Sequence, residues 1–140
     1  MQLVSEYYKE KVLSLDKNDR KLVEFPYNFD DTSIEKDLFS WKLISGKQFI
    51  ECSCEEEAKY LDVFIKAGRR EVFVPKNADY LKEILPQLLH LKKRHDEIIE
   101  DKVDGLLSRR LQEQARRLIW RKVFRGIEEA EEALVEEVMR

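Results

Sequence analysis

Apolar residues recur at steps of three and four over most of this 140-residue chain, and in short denser runs over its middle. That reads as helices around a small sheet. Between Gln2 and Ser14, Val4, Tyr8 and Val12 stand four apart with Leu3 and Tyr7 beside them, which predicts a short amphipathic helix. The polar run Asp16-Lys17-Asn18-Asp19 ends it. Leu22 to Phe25 predicts a strand stopped by Pro26, and Tyr27 to Asp37, rich in Asn, Asp, Ser and Thr, predicts a loop. Two more strands are expected, Leu38 to Ile44 and Gln48 to Cys52, joined by a hairpin at Ser45-Gly46-Lys47 in which Gly46 takes a positive φ. Ser53 three residues before Glu56 matches a capping box that opens a helix with Ala58, Leu61, Phe64 and Ile65 inward and Gly68 as its stop. Glu71 to Val74, closed by Pro75, is the last strand.

A strand, a helix and a strand over 48–74 form a crossover unit, so the fold class expected is α+β with a small mixed β-sheet. Everything after Asn77 reads as helix. Leu81, Leu85, Leu88, His95 and Ile99 hold one face, with Pro86 either a kink or the first turn of a second helix. Gly105 and Gly126 offer breaks on either side of a helix over 106–125. The C-terminal part is then a helical hairpin, a bundle or an extended arm. The expected division is a small α/β module, 1–76, and a helical region, 77–140. Its core is expected from Phe25, Phe39, Trp41, Ile50, Leu61, Phe64 and Phe73, with Leu81, Leu85, Leu88, Ile99, Leu107, Leu111 and Leu118 in the helical part.

Charge changes this picture most in the last third. Residues 109 to 125 carry Arg109, Arg110, Arg116, Arg117, Arg121, Lys122 and Arg125 against the single acid Glu113. The next fifteen carry Glu128, Glu129, Glu131, Glu132, Glu136 and Glu137 against Arg140 alone. On a helical projection with Leu111 at zero, Leu107, Ala115, Leu118 and Ile119 fall between about −40° and +80°, the stripe expected to face the core. Arg109, Arg110, Arg116, Arg117 and Arg121 fall between about 140° and 280°, with Trp120 near 180° and Phe124 near 220° among them. Two uses fit an arginine face with aromatics: a protein interface, or phosphate contacts by the arginines with stacking by Trp120. The acidic helix, with its thin stripe of Ala130, Ala133, Leu134 and Val138, competes for the same arginines if it folds back on them.

Composition bounds the rest. Charged residues make up 39%, against roughly 25% in an average soluble protein, a thermophile-like excess of Glu, Lys and Arg. No window approaches the roughly 20 apolar residues of a membrane span, and Glu6, Lys9, Glu10 and Lys11 break any signal-peptide core, so no membrane partner and a cytoplasmic location are expected. Cys52 and Cys54 are expected as free thiols. With His90 and His95 they do not make a metal set, because the histidines lie about 140° apart on a helix and the cysteines are too close in sequence. His95 fits either a buried, hydrogen-bonded histidine or a register-setting polar residue. Glu55, Glu56 and Glu57 suit the free amides of a helix start, and the four glycines form no phosphate loop. No catalytic residue, metal or cofactor is assigned.

Over about twenty-five residues, the order strand, Glu55-Glu56-Glu57-Ala58, helix, Gly68, strand, then helices, resembles the small β-module and helical module of archaeal GINS replication subunits. The helix here is longer by about one turn, and such units recur in unrelated folds, so no function is carried across. The function expected is a non-catalytic adaptor or assembly subunit that associates through its C-terminal helices, with itself as the expected partner. The alternative is a nucleic-acid-binding protein. The residues nominated for either are Arg109, Arg110, Arg116, Arg117, Trp120, Arg121, Phe124 and Arg125.

Overall fold

The computed structural model describes residues 2–139 and separates into two compact units. One is Leu15–Pro86; the other joins Met1–Ser14 to Gln87–Arg140. The N-terminal helix therefore belongs with the late helices rather than with the sheet, unlike the expected division at residue 76. The α+β class holds, with 59% of the structure helical and 17% in strands.

The sheet-containing unit begins with β1 (Arg20–Glu24), followed by β2 (Ser33–Lys36), β3 (Trp41–Ser45), β4 (Gln48–Cys52), α2 (Glu55–Lys66) and β5 (Glu71–Pro75). Its strands form two antiparallel sheets, which corrects the single mixed sheet expected from sequence. β1 pairs with β5 from Arg20↔Pro75 to Glu24↔Glu71, while β3 lies between β2 and β4. The strand–helix–strand run over 48–74 is present, but α2 delivers β5 to β1 instead of returning it beside β4. β2 falls inside the segment expected to be a loop. Only Ile34 of its four residues is apolar, and three of the four are exposed, so an edge strand with a loop's composition escaped the periodicity.

Local chemistry explains most boundaries. Gly46 has φ +60° at the first central position of the two-residue β3–β4 turn, where a side chain is strained. Gly68, at φ +80°, ends α2: its amide donates to the Ile65 carbonyl at 3.0 Å and the Arg69 amide to the Phe64 carbonyl at 3.0 Å. The start of α2 differs from the expected capping box. Cys54 occupies the cap position without a side-chain hydrogen bond, and the Ser53 hydroxyl donates to the Glu57 carboxylate at 2.7 Å. Glu57 is buried, and Lys21 of β1 reaches it at 3.1 Å, so that carboxylate ties α2 to the β1–β5 sheet.

α2 lies against strands of both sheets, and its inward face of Ala58, Leu61, Phe64 and Ile65 is buried with Leu43, Val72, Phe73 and Val74. Tyr60 is buried as well. Its hydroxyl donates to the Phe73 carbonyl at 2.7 Å and its ring lies 5.0 Å from that of Phe64. Three expected core residues, Phe25, Trp41 and Ile50, are half-buried. Phe39 is a correction: it stands 99% exposed beside Leu38 at the β2–β3 turn, outside any strand.

The helical unit contains α1 (Val4–Tyr8), which continues as a π-helical turn over Lys9–Leu13, α3 (Ala78–Val103) from Gln87 onward, α4 (Arg109–Phe124) and α5 (Glu128–Met139). The Asn77 side chain caps α3 by accepting from the Asp79 and Tyr80 amides at 2.9 and 3.1 Å. Pro86 is absorbed within α3 without ending it. Ser108 caps α4, accepting from the Leu111 amide at 3.1 Å. α1 packs on α4, and its Ser5 hydroxyl donates to the Val123 carbonyl. Val4, Tyr8, Leu88, Ile99, Val103, Trp120 and Phe124 are buried in this unit.

Phe64→Ala should cost about 3–5 kcal/mol and Tyr60→Phe about 1 kcal/mol in urea unfolding followed by circular dichroism. Equal costs would mean that the Tyr60 hydroxyl, rather than the packing of Phe64, holds α2 in place.

Candidate association face of the C-terminal helices

The inward face of α4 includes Trp120 and Phe124, both expected to look outward, beside Ala115 and Ile119, which were expected inside. Trp120 is 5% exposed and Phe124 1% exposed. The indole stacks on the imidazole of His95 from α3, with centroids 5.5 Å apart and planes 14° from parallel, and Phe124 lies 6.5 Å from it. The Lys92 ammonium sits 6.0 Å from the indole centroid and contacts Asp96. His95 is buried, and its Nδ1 lies 2.7 Å from the Leu91 carbonyl; because that oxygen only accepts, Nδ1 carries the proton. Gln112, Ala115, Arg116, Ile119 and Val123 are half-buried beside the aromatics, so the inward arc runs from about 40° to 220° on the same projection. Trp120 and Phe124 are thus removed from the nominated surface, and stacking on bases by Trp120 is excluded by its cover from α3.

The leucines expected inside are outside. Leu107 is fully exposed, Leu111 50% and Leu118 53%. The sequence did hold a signal for this. The leucine stripe stops at Leu118, after which Lys122 and Arg125 occupy the same side. The row Ile119, Trp120, Val123, Phe124 and Ile127 persists to the end of the helix. A face that must stay buried along its whole length is the second one.

Arginine placement is mixed. Arg109, Arg110, Arg117, Arg121 and Arg125 are exposed, and none makes an ion pair with another described residue. Arg116 leaves the nominated set: it is half-buried and grips Glu100 of α3, Nε to Oε1 at 2.6 Å and Nη2 to Oε2 at 3.0 Å. That fork holds the Glu100 carboxyl below its ordinary range and raises the guanidinium above its own. Arg116 is a tie between α3 and α4, not a free binding group. The exposed side of α4 therefore carries Leu111 and Leu118, with Arg110, Arg117 and Arg121 along one flank; Leu107, expected on the same helix, lies in a bend before the Ser108 cap.

α5 does not cover this face. Between Phe124 and Glu128 the chain makes one 3₁₀ turn, Arg125–Ile127, and both flanking residues keep right-handed helical angles. A reversal would need a residue outside that region. Leu134 and Val135 are half-buried and Glu131 is buried, while Glu129, Glu132, Glu136 and Glu137 face solvent. Two acidic and basic surfaces thus stand open on one helical run.

Other candidate chemistry is weaker. Among the described residues, no group of three or more His, Cys, Asp or Glu side chains could hold a metal ion. Cys52 and Cys54 are free thiols. Burial, reinforced by the neighbouring Glu57 carboxylate, pushes the Cys52 thiol up to about 12. A shallow hollow of about 310 Å³ on the three-stranded sheet is lined by Lys36, Lys42, Lys47, Asp37 and Phe49. There the Leu38 amide and Lys42 hold the Asp37 carboxyl below its usual range. No described helix is long and apolar enough to cross a membrane. Against known protein families, curated proteins and solved structures, this chain has no match.

Trp120→Ala should destabilise the chain by about 3–5 kcal/mol, whereas Leu111→Ser with Leu118→Ser should change thermal unfolding by less than about 0.5 kcal/mol per site. A large loss from the leucine pair would place that face in the core after all. Cys52 should stay unreactive toward iodoacetamide at pH 8, where its thiol is protonated, while Cys54 alkylates. Labelling of Cys52 ahead of Cys54 in a peptide map would contradict the burial that raises it.

Proposed function

We propose that this chain is a non-catalytic assembly subunit of the cytoplasm that binds another protein through the exposed face of α4. The observation that carries this reading is the position of Leu111 and Leu118 in solvent on one side of a helix whose other side is already packed, with the exposed Leu107 just before its cap. Leucines two helical turns apart, bordered by charge, have the form of a helix-in-groove or helix-on-helix contact. Arginines beside an apolar strip suit a protein rim, since they cover apolar surface with their stems and pair bidentately with carboxylates.

A second reading draws on the five exposed arginines without described ion-pair partners. Arg109, Arg110, Arg117, Arg121 and Arg125 could neutralise phosphates of a nucleic acid. With Trp120 and Phe124 enclosed, such binding would rest on charge alone and fall steeply with added salt.

A photo-crosslinking residue at position 118 separates the two, with position 93, an exposed lysine on α3, as the control. The assembly reading expects a stoichiometric protein adduct from 118 and none from 93 in irradiated cells. Adducts to nucleic acid from 118, or none at all, would overturn it. The nucleic-acid reading would then require duplex binding that weakens several-fold with salt and is lost in the Arg117→Glu, Arg121→Glu double variant.

A further inference from the structure

Resting on the assembly reading, we propose that a second copy of this chain occupies the C-terminal part of the α4 face, residues 114–125 around Leu118. The two copies lie antiparallel, so that the basic α4 of each runs along the acidic α5 of the other about a two-fold axis at Gly126–Ile127. The argument is one of register. Arg117, Arg121 and Arg125 are four residues apart, and so are Glu128, Glu132 and Glu136. Residues four apart on a helix share a face and rise together by about 6 Å. Turning the run about Gly126–Ile127 brings Arg125 opposite Glu128, Arg121 opposite Glu132 and Arg117 opposite Glu136 in a single operation. The same operation sets Leu118 opposite Val135, which is half-buried on α5.

The ladder repeats on both sides of the axis, as a two-fold contact requires. The three arginines are exposed, as are Glu132 and Glu136, and Glu128 is half-buried. None of them forms an ion pair with another described residue. The chain cannot close the ladder upon itself, because the 3₁₀ turn carries α5 onward from α4 without reversal. Gly126 suits the crossing point: it is exposed, and a side chain built there would meet open space, so a second backbone can approach. A parallel pairing would instead set arginines on arginines, a like-charge arrangement that selects against it. Charge complementarity between two surfaces of one sequence is the reason for choosing a copy of this chain over an unrelated protein or a nucleic acid.

Molar mass from light scattering tests this, using the full chain and two charge-reversed variants, Arg117→Glu with Arg121→Glu and Glu132→Arg with Glu136→Arg. The wild-type chain should show twice the 16.8 kDa of one copy, and each variant should show 16.8 kDa with unchanged circular dichroism. Mixed in equal amounts, the two variants should return to twice that mass, because every reversed pair then meets its opposite. Added salt should lower the associated fraction. A variant that keeps the doubled mass, or a mixture that remains at 16.8 kDa, would overturn the proposal. A wild-type chain at 16.8 kDa that still gives a protein adduct from position 118 overturns the second copy and leaves the assembly reading standing. A doubled mass with no adduct there removes both.

Discussion

The rotation of α4 about its own axis is fixed by the stack of Trp120 on His95, and the remaining surface follows from it. An indole and a phenyl ring bury far more area than leucines do, and the imidazole gives the indole a flat partner on α3. The Arg116–Glu100 fork acts in the same sense from the edge of that contact. Once this side is inward, Leu111, Leu118 and the neighbouring arginines must be outward. A helix with a single apolar face has no such residue left over. α4 has two, and only one can be satisfied within the described fold.

That duality explains why the candidate surface was half legible. The position of the helix, its cap at Ser108 and its block of arginines could be read directly, because they depend on neighbours in sequence. The choice between the leucine side and the aromatic side depends on what α3 offers, and His95 lies 25 residues from Trp120. The projection counted leucines where burial responds to area. Persistence of the aromatic row to Ile127 was the available cue. Five of the nominated arginines are exposed, whereas Arg116 is claimed by a carboxylate from another helix.

The sheet shows the same limit. The hairpin at Gly46 and the stop at Gly68 follow from backbone conformations that few residues tolerate, so they were visible locally. Pairing was not. β5 belongs to β1, which precedes it by some fifty residues, and nothing in either strand names its partner. The cap of α2 moved by one residue because the Ser53 hydroxyl met the buried Glu57, a carboxylate that also needed Lys21. Buried charge took precedence over a backbone amide that water can satisfy.

The continuity of α4 into α5 has an energetic side. A helix is electrically polarised, positive where its free amides lie and negative where its free carbonyls lie. Arg109 and Arg110 sit at the amide end of this run, and Glu136 and Glu137 near its carbonyl end, each the wrong sign for its place. Such charges loosen an isolated helix at both tips by a few tenths of a kcal/mol each. Opposite charges brought in from outside would reverse that penalty, so the tips of this run should gain order whenever they are neutralised.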